Sequence, residues 1–349
     1  MKDTWYHTVK NYVAIGLFFL MKRITVVGKE HIPKKGAVIF IANHQNGLID
    51  PLLIATTTHR TVHFLARASA FKKRLARTLL HSIHMLPVYR IRDGIRTLSK
   101  NTGIFEKCTE VLKEKGAIGI FAEGEHHLDR RVIPLKKGFA RIIRATLLKY
   151  PELEIQIVPV GLNFDDPTKF ANSASIYYGK PIRANQYIDL QQPEGNFSVI
   201  INKVTTALKK ITLHIDSEAD YNETIEKLEA RNVDYLDPYK ANALLEDIDN
   251  TPAPKHPPTI VPNWWAPILL LAKINSLVPL VTWRFLRKFI EDPAFISTFR
   301  FALITTLFPL FYLIQTGIVG WYFGTGTALI YLSFSILSGL IATKTRFGL

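Results

Sequence analysis

Apolar and polar residues alternate along this chain in three different ways, and the changes mark its organisation. From about Met1 to Ile215, short unbroken apolar runs alternate with stretches of helical period. Ala37–Ala42 (AVIFIA), Val62–Ala66, Ala117–Phe121 and Ile155–Val160 read as strands that are apolar on both faces. Strands of a parallel sheet read this way when helices cover both sides. Arg96–Lys115 and Lys137–Lys149 carry helical spacing between them. Strands alternating with helices predict an α/β domain with a mostly parallel central sheet flanked by helices.

The second stretch, Asp216 to Val261, is polar, with alternating charge over Glu223–Arg231. It ends in Thr251-Pro-Ala-Pro-Lys-His-Pro-Pro258, four prolines within seven residues, which predicts a stiff, extended linker. The third, Pro262 to Leu349, is apolar. Phe301–Tyr322 and Thr327–Thr343 contain no charged residue, and each is near the ~20 residues that cross a bilayer. Arg300 precedes the pair; Lys344 and Arg346 follow it. The pattern predicts a transmembrane hairpin with both ends cytoplasmic; the alternative is a pair of buried helices in a soluble core. Trp264–Trp283 is apolar but carries Lys273 and Asn275, which suits an interfacial helix at least as well as a third span. Near the N-terminus, Tyr12–Met21 is too short to span and no small-residue cleavage site follows it, so it reads as an interfacial or buried helix. The expected organisation is an N-terminal interfacial helix (1–24), an α/β domain (25–215), a polar helix and proline-rich linker (216–261) and a membrane region (262–349).

Composition narrows the partners. Of 349 residues, 48% are hydrophobic and 21% charged, enough apolar material for a folded core. A net charge of +15 calls for an anionic partner: nucleic acid, an acidic membrane face or a phosphorylated substrate. Nucleic-acid binding would need basic residues interleaved with aromatics in a recognisable module, and none is legible; the apolar tail favours a phospholipid membrane. The single cysteine, Cys108, excludes an internal disulfide and any multi-cysteine metal site.

Four segments carry candidate chemistry. Asn43-His44-Gln45-Asn46-Gly47-Leu48-Ile49-Asp50-Pro51 follows directly on the strand Ala37–Ala42, and ligand groups of α/β sheets gather at strand carboxyl ends. His44 there suits a general base, with the Asp50 carboxylate holding its other ring nitrogen once Gly47 lets the chain turn. The alternative is a loop histidine beside a helix-initiating Asp50-Pro51. Ile118–His127 is a strand running into the turn Glu123-Gly124, with Arg130, Arg131, Lys136, Lys137 and Arg141 beyond it. A glycine turn followed by basic residues suits a phosphate; a solvated basic face is the alternative. His126 and His127 lack a third ligand at useful spacing, so no metal is expected. Met85-Leu-Pro-Val-Tyr-Arg-Ile-Arg92 places Arg90 and Arg92 after a short apolar segment, where two guanidiniums could fork onto one phosphate. Ile157-Val-Pro-Val-Gly-Leu-Asn-Phe164 is a further strand, structural for most of its residues.

Taken in order, these blocks resemble the glycerolipid acyltransferases, whose hallmark is a histidine followed a few residues on by an aspartate. The likeness covers roughly residues 20–215: Gly28 and Pro33, Asn43-His44 with Asp50, Pro87-Val88 with Arg90, Phe121 with Glu123-Gly124, Val158-Pro159-Val160-Gly161 and Gly179-Lys-Pro-Ile182. The chain departs from the common pattern. Five residues separate His44 from Asp50 where the family usually has four. Ala122 replaces a proline, and Glu125-His126 replace a threonine and an arginine. The longer spacing, the histidine after Glu-Gly and the uncharged tail are nearest to the fungal-type glycerol-3-phosphate or dihydroxyacetone-phosphate acyltransferase branch.

The resemblance implies transfer of a fatty acyl group from acyl-CoA or acyl-carrier protein to a hydroxyl of glycerol-3-phosphate or 1-acylglycerol-3-phosphate. It implies His44 as base, Asp50 as its support, backbone amides near Gly124 for the oxyanion, and neither a cofactor nor a metal. With the usual arginine missing, Arg90 leads as the phosphate cation, with Arg92, Lys136 and Lys137 behind it and Glu123-Gly124 in the same binding turn. The catalytic domain is expected on the cytoplasmic face of a membrane. An amino-acid-based lysolipid as acceptor, and a non-catalytic lipid-binding protein on the same fold, are the alternatives.

Overall fold

The structure, a computed structural model, describes residues 2–89, 101–191, 196–253 and 264–345. Helices and strands are numbered in chain order. One sheet runs in the order β1 (Arg23–Val27), β7 (Ser173–Tyr178), β6 (Ile155–Phe164), β2 (Ala37–Ala42), β5 (Ala117–Phe121), β3 (Val62–Arg67), β4 (Met85–Val88), with the short β8 (Ile182–Arg183) also paired to β6. Pairing is parallel except where β6 meets β7 and β8. The mostly parallel α/β sheet expected from the sequence is therefore present.

Central β2 shows why its sequence is apolar throughout. Ala37, Ile39 and Ile41 pack with α4 (Asn101–Lys113), α5 (Gly138–Lys149) and α6 (Ser198–Ile211) on one face. Val38, Phe40 and Ala42 pack on the other with α1 (Lys2–Leu20) and α2 (Ile49–Thr57). Alternate side chains enter opposite cores, so both registers must be apolar. Helix α3 (Arg74–Ser82) packs on edge strand β4. Helix α1 buries Tyr6, Leu17 and Leu20 and leaves Trp5, Tyr12, Ile15 and Phe18 exposed, so it belongs to the core on one side only.

The polar stretch after Ile215 is less a linker than a docked extension. Helices α7 (Tyr221–Ala230) and α8 (Pro238–Glu246) share a small core of Leu213, Ile215, Leu228 and Ala241. Arg130 ties it to the sheet: its guanidinium lies 3.4 Å from the Tyr235 ring centroid and donates to the Phe164 and Asp165 carbonyls at 2.9 and 2.8 Å. Most of the proline-rich segment, 254–263, lies outside the described residues.

Beyond it, Trp264–Trp283 is not one helix. Helix α9 (Ala266–Asn275) and a second helical segment that begins with α10 (Leu277–Leu286) meet at a 77° bend. Pro279 explains the break: it lacks an N–H, and its ring would clash with the Asn275 carbonyl in a continuous helix. Helices α11 (Ile296–Thr305) and α12 (Leu307–Lys344) follow, and the segment Pro293–Lys344 is long and apolar enough to cross a membrane. Gly324 breaks α12 with φ 83° and ψ 165°, and the chain folds back there. Asn275 bonds Gln315 on the first arm and Tyr331 and Ser335 on the second, which sets the two arms side by side. Such bonds between polar side chains are how helices associate in an apolar surround.

Both ends of the hairpin return to α1. A Cβ on Gly16 would meet Thr305 Cγ2 at 2.4 Å, and Thr343 Oγ1 and Lys344 Nζ donate to carbonyls of Phe19, Phe18 and Met21. The approach to α11 also reaches the sheet domain: Ser297 and Arg300 donate to the Pro167 and Thr168 carbonyls. Residues 292–305 thus pack against the α/β domain, where the linker in the sequence marks a boundary.

Candidate active site

Strand register brings the site together. Ala42 at the end of β2 pairs with Phe121 at the end of β5 and with Val160 of β6, so the loops after β2 and β5 leave the same edge. Asn43 prolongs the pairing with its side chain, which exchanges hydrogen bonds with the Leu162 backbone at 2.8 and 2.9 Å. This fixes the chain one residue before His44.

The His44 ring stacks on Phe121, with centroids 4.1 Å apart and planes 20° off parallel. Its Nδ1 lies 2.8 Å from Asp50 Oδ2, and the same oxygen accepts the Gln45 and Asn46 backbone N–H groups at 2.8 Å each. Asp50 is fully buried in the first turn of α2, followed by Pro51, so the helix-initiating and histidine-holding readings of Asp50 describe one residue. A carboxylate there is favoured by the helix N-terminus. An Nδ1–H donated to Asp50 leaves the Nε2 lone pair of His44 free to accept a proton, and the His44 side chain is 17% exposed.

Gly47 has φ +34°, and a Cβ there would stand 3.0 to 3.1 Å from Ala294 O, Phe295 Cδ1 and Thr298 Oγ1. The glycine therefore serves a close approach as well as a turn: Leu48 N–H donates to Thr298 Oγ1 at 3.1 Å, clasping the His44–Asp50 loop to the start of α11.

Glu123 occupies a different role from the one the sequence predicts. It is fully buried. Its Oε2 accepts the His44 backbone N–H at 2.9 Å, its Oε1 the Ile133 N–H at 3.3 Å, and His127 Nε2 stands 3.5 Å away. A carboxylate so enclosed cannot meet a phosphate, and its charge would repel one. Burial alone would lower the His127 pKa; the Glu123 carboxylate 3.5 Å away and the nearby Asp129 charge outweigh it and hold the imidazole above its usual value. The Gly124 N–H donates to Phe121 O at 3.1 Å, so it closes the turn and is not aimed outward at an oxyanion.

Of the basic residues past the turn, Arg130 is structural and Arg131 pairs with Glu218 at 2.6 Å. Lys136 and Lys137 are exposed, Lys136 with its side chain along the Gly124 turn. Arg90 and Arg92 lie outside the described residues.

A second cluster borders His44, and of its members the sequence singles out only His126. His126 meets the His44 ring edge-on at 5.6 Å. Its Nε2 lies 2.5 Å from Asp292 Oδ2, and Arg67 Nη2 lies 3.4 Å from its Nδ1. Those partners fit a neutral His126 that donates from Nε2 and accepts at Nδ1. Arg67, the last residue of β3, also lies 5.7 Å from the Phe295 ring centroid. Partial burial would raise the Asp292 pKa; the hydrogen bonds from His126 and the Ala294 N–H, with the Arg67 charge, bring it below the usual aspartate value. The legible signal was weak: an arginine ending an apolar strand, and an Asp-Pro pair ahead of the apolar tail.

Comparison with known proteins bears on the same region. Residues 23–163 match the family model described as Acyltransferase. Glycerol-3-phosphate O-acyltransferase 2 of Saccharomyces cerevisiae is 21% identical over 326 residues, covering 63% of this chain and 44% of the yeast protein. The probable 1-acyl-sn-glycerol-3-phosphate acyltransferase of Mycoplasma pneumoniae is 28% identical over 137 residues, 38% of this chain and 50% of that protein. The crystal structure of the 1-acyl-sn-glycerophosphate acyltransferase of Thermotoga maritima aligns with a TM-score of 0.43 at 18% identity, over 60% of this chain and 78% of that one. The chain spans half or less of the length of these two sequence relatives.

Proposed function

We propose, from the match of residues 23–163 to the Acyltransferase family model and the likeness to glycerol-3-phosphate acyltransferases, that this chain is a glycerolipid acyltransferase that moves a fatty acyl group from a thioester donor, acyl-CoA or acyl-carrier protein, to a hydroxyl of glycerol-3-phosphate or 1-acylglycerol-3-phosphate. The observation that carries the reading is the His44–Asp50 pair at the carboxyl end of β2, at 2.8 Å, with Nε2 left to accept. In the proposed reaction Nε2 takes the proton of the acceptor hydroxyl as its oxygen attacks the thioester carbonyl. The resulting imidazolium is held by Asp50. The tetrahedral intermediate collapses, the carbon–sulfur bond breaks, and the proton passes from His44 to the departing thiolate. No covalent enzyme intermediate enters this sequence. Incubation of the purified chain with both donors and a panel of acceptors tests the reading; absence of acyl ester on either phosphorylated acceptor sinks it.

The phosphate is proposed to meet Arg67 beside His126 and the exposed Lys136 and Lys137, with Arg90 and Arg92 kept as candidates from the sequence. A guanidinium grips two phosphate oxygens where an ammonium offers a point charge. Arg67→Ala and Arg90→Lys are each expected to raise the acceptor KM about tenfold while the donor KM changes little, the usual cost of one charged hydrogen-bonded contact. Unchanged acceptor KM in both moves the role to Lys136 and Lys137.

Membrane attachment is proposed through the α12 hairpin, with the catalytic domain on the cytoplasmic face. Arg300, Lys344 and Arg346 flank the apolar arms, and basic flanks stay cytoplasmic. The full-length chain should resist extraction by high salt or alkali and yield only to detergent. Release by salt alone would contradict the span.

A further inference from the structure

Between α9 to α12 lies a cavity of ≈ 950 Å³, separate from the catalytic pair. Its two ends differ. At the end nearest the α/β domain it is lined by Arg284, Arg287 and Arg300; the rest is mostly apolar, running past Leu303, Phe308 and Leu332 to Tyr312 and Ser335, with the exposed Lys273 of α9 as a further lining cation. Arg300 is fixed there, donating to the Thr168 carbonyl and lying 4.8 Å from the Trp283 ring centroid. Arg284 and Arg287 are three residues apart, on one side of the chain, and both are exposed. Neither forms a salt bridge with a described residue. Lys288 adds another cation to the adjoining pocket.

From Arg300 to Tyr312 is twelve positions of helical chain, roughly 18 Å at 1.5 Å per residue. That is close to the depth of one leaflet, half of a hydrocarbon core ~30 Å thick. A cluster of cations at the headgroup level with no carboxylate partner among the described residues, above a mostly apolar slot one leaflet deep, matches an anionic lipid. We propose that this cavity binds a lipid with a phosphomonoester headgroup, the phosphate on Arg284 and Arg287 with Arg300, and an acyl chain laid along α11 and both arms of α12. A choline-capped headgroup would bring a positive charge to the arginines and fit less well. The site is spatially apart from the His44–Asp50 pair, although the N-terminal half of α11 touches both: Thr298 holds the loop after β2 at Leu48 N–H, while Arg300 lines the cavity.

The test uses the full-length chain carrying His44→Ala, so that no turnover intervenes and failure of the acyl-transfer reading leaves it untouched. Oleoyl glycerol-3-phosphate and oleoyl glycerol-3-phosphocholine are titrated separately in detergent micelles, and bound lipid is counted by native mass spectrometry. The phosphomonoester lipid should bind at least about tenfold more tightly. Because the acyl-transfer site is itself proposed to take a phosphomonoester lipid, the number bound is read: Arg284→Gln with Arg287→Gln should remove one phosphomonoester lipid per chain. Gly339→Phe should weaken both lipids alike, because Gly339 lines the apolar part and a Cβ on it meets nothing within 4 Å, so the helix tolerates the change while the slot fills. Free glycerol-3-phosphate at millimolar concentration should not displace the lipid. Equal affinity for the two lipids, an unchanged number of phosphomonoester lipids bound after the double substitution, or loss of every bound lipid to glycerol-3-phosphate overturns the proposal.

Discussion

His44→Ala is expected to lower turnover by roughly 10²–10⁴-fold, the usual share of a positioned general base, with the fold intact. The fold should survive because the ring's one strong side-chain bond is to Asp50, whose Oδ2 keeps the Gln45 and Asn46 amides as donors after the imidazole is gone. The His44 backbone N–H still reaches Glu123. The loss should therefore fall on the chemical step: kcat drops while both KM values stay within a few-fold. Asp50→Asn should approach the same loss by another route. Three N–H groups converge on Oδ2, so the amide would set its oxygen there and keep the Nδ1–H bond; what is lost is the negative charge that steadies the imidazolium once Nε2 has taken the proton. Single-turnover rates with circular dichroism spectra of each variant test this, and near-normal turnover of His44→Ala would remove His44 from the base's role.

Glu123 should behave in the opposite manner, through stability. Glu123→Ala leaves the His44 and Ile133 N–H groups without their acceptor in a fully buried place and strips His127 of its nearest charge. Removing one partner of such a network costs about 2–5 kcal/mol, which for a domain of this size lowers the thermal midpoint by roughly 5–15 °C. Well below that midpoint the surviving protein should retain its affinity for acceptor. Had Glu123 lain in the binding turn as the sequence implied, the same substitution would change KM and leave thermal stability alone. Thermal denaturation alongside KM at low temperature separates the two, and a wild-type midpoint with a shifted acceptor KM would restore Glu123 to the binding site.

That reassignment shows where local sequence stops being sufficient. A Glu-Gly turn at a strand end is legible, but whether the carboxylate points to solvent or into the core depends on what lies across the sheet edge. Here that is the backbone of the neighbouring loop, which begins at residue 43 and is brought alongside by the β2–β5 register. The His44–Asp50 juxtaposition, by contrast, is legible in advance, because a contact six positions apart around a glycine closes locally. Chain length sets the difference: a contact across six positions is constrained by turn geometry, and one across eighty is decided by the fold.

The pattern of apolar positions by itself determined the α/β class, the parallel core strands β2, β3, β5 and β6, the helix after the Glu-Gly turn and the uncharged pair of arms at the C-terminus. These follow from periodicity and burial, which are properties of neighbouring residues. Strand β7 (SASIYY) escaped notice because its serines read as polar, yet Ser175 is buried and donates to the Leu236 carbonyl. Only the tertiary structure decided that the stretch after Ile215 docks on the sheet, and that residues 292–298 arrive from the far end of the chain to clasp Gly47 and hold His126. Thr298 meets Leu48 across 250 positions and Asp292 meets His126 across 166. No local spacing encodes such contacts, since each depends on every intervening element reaching its place first.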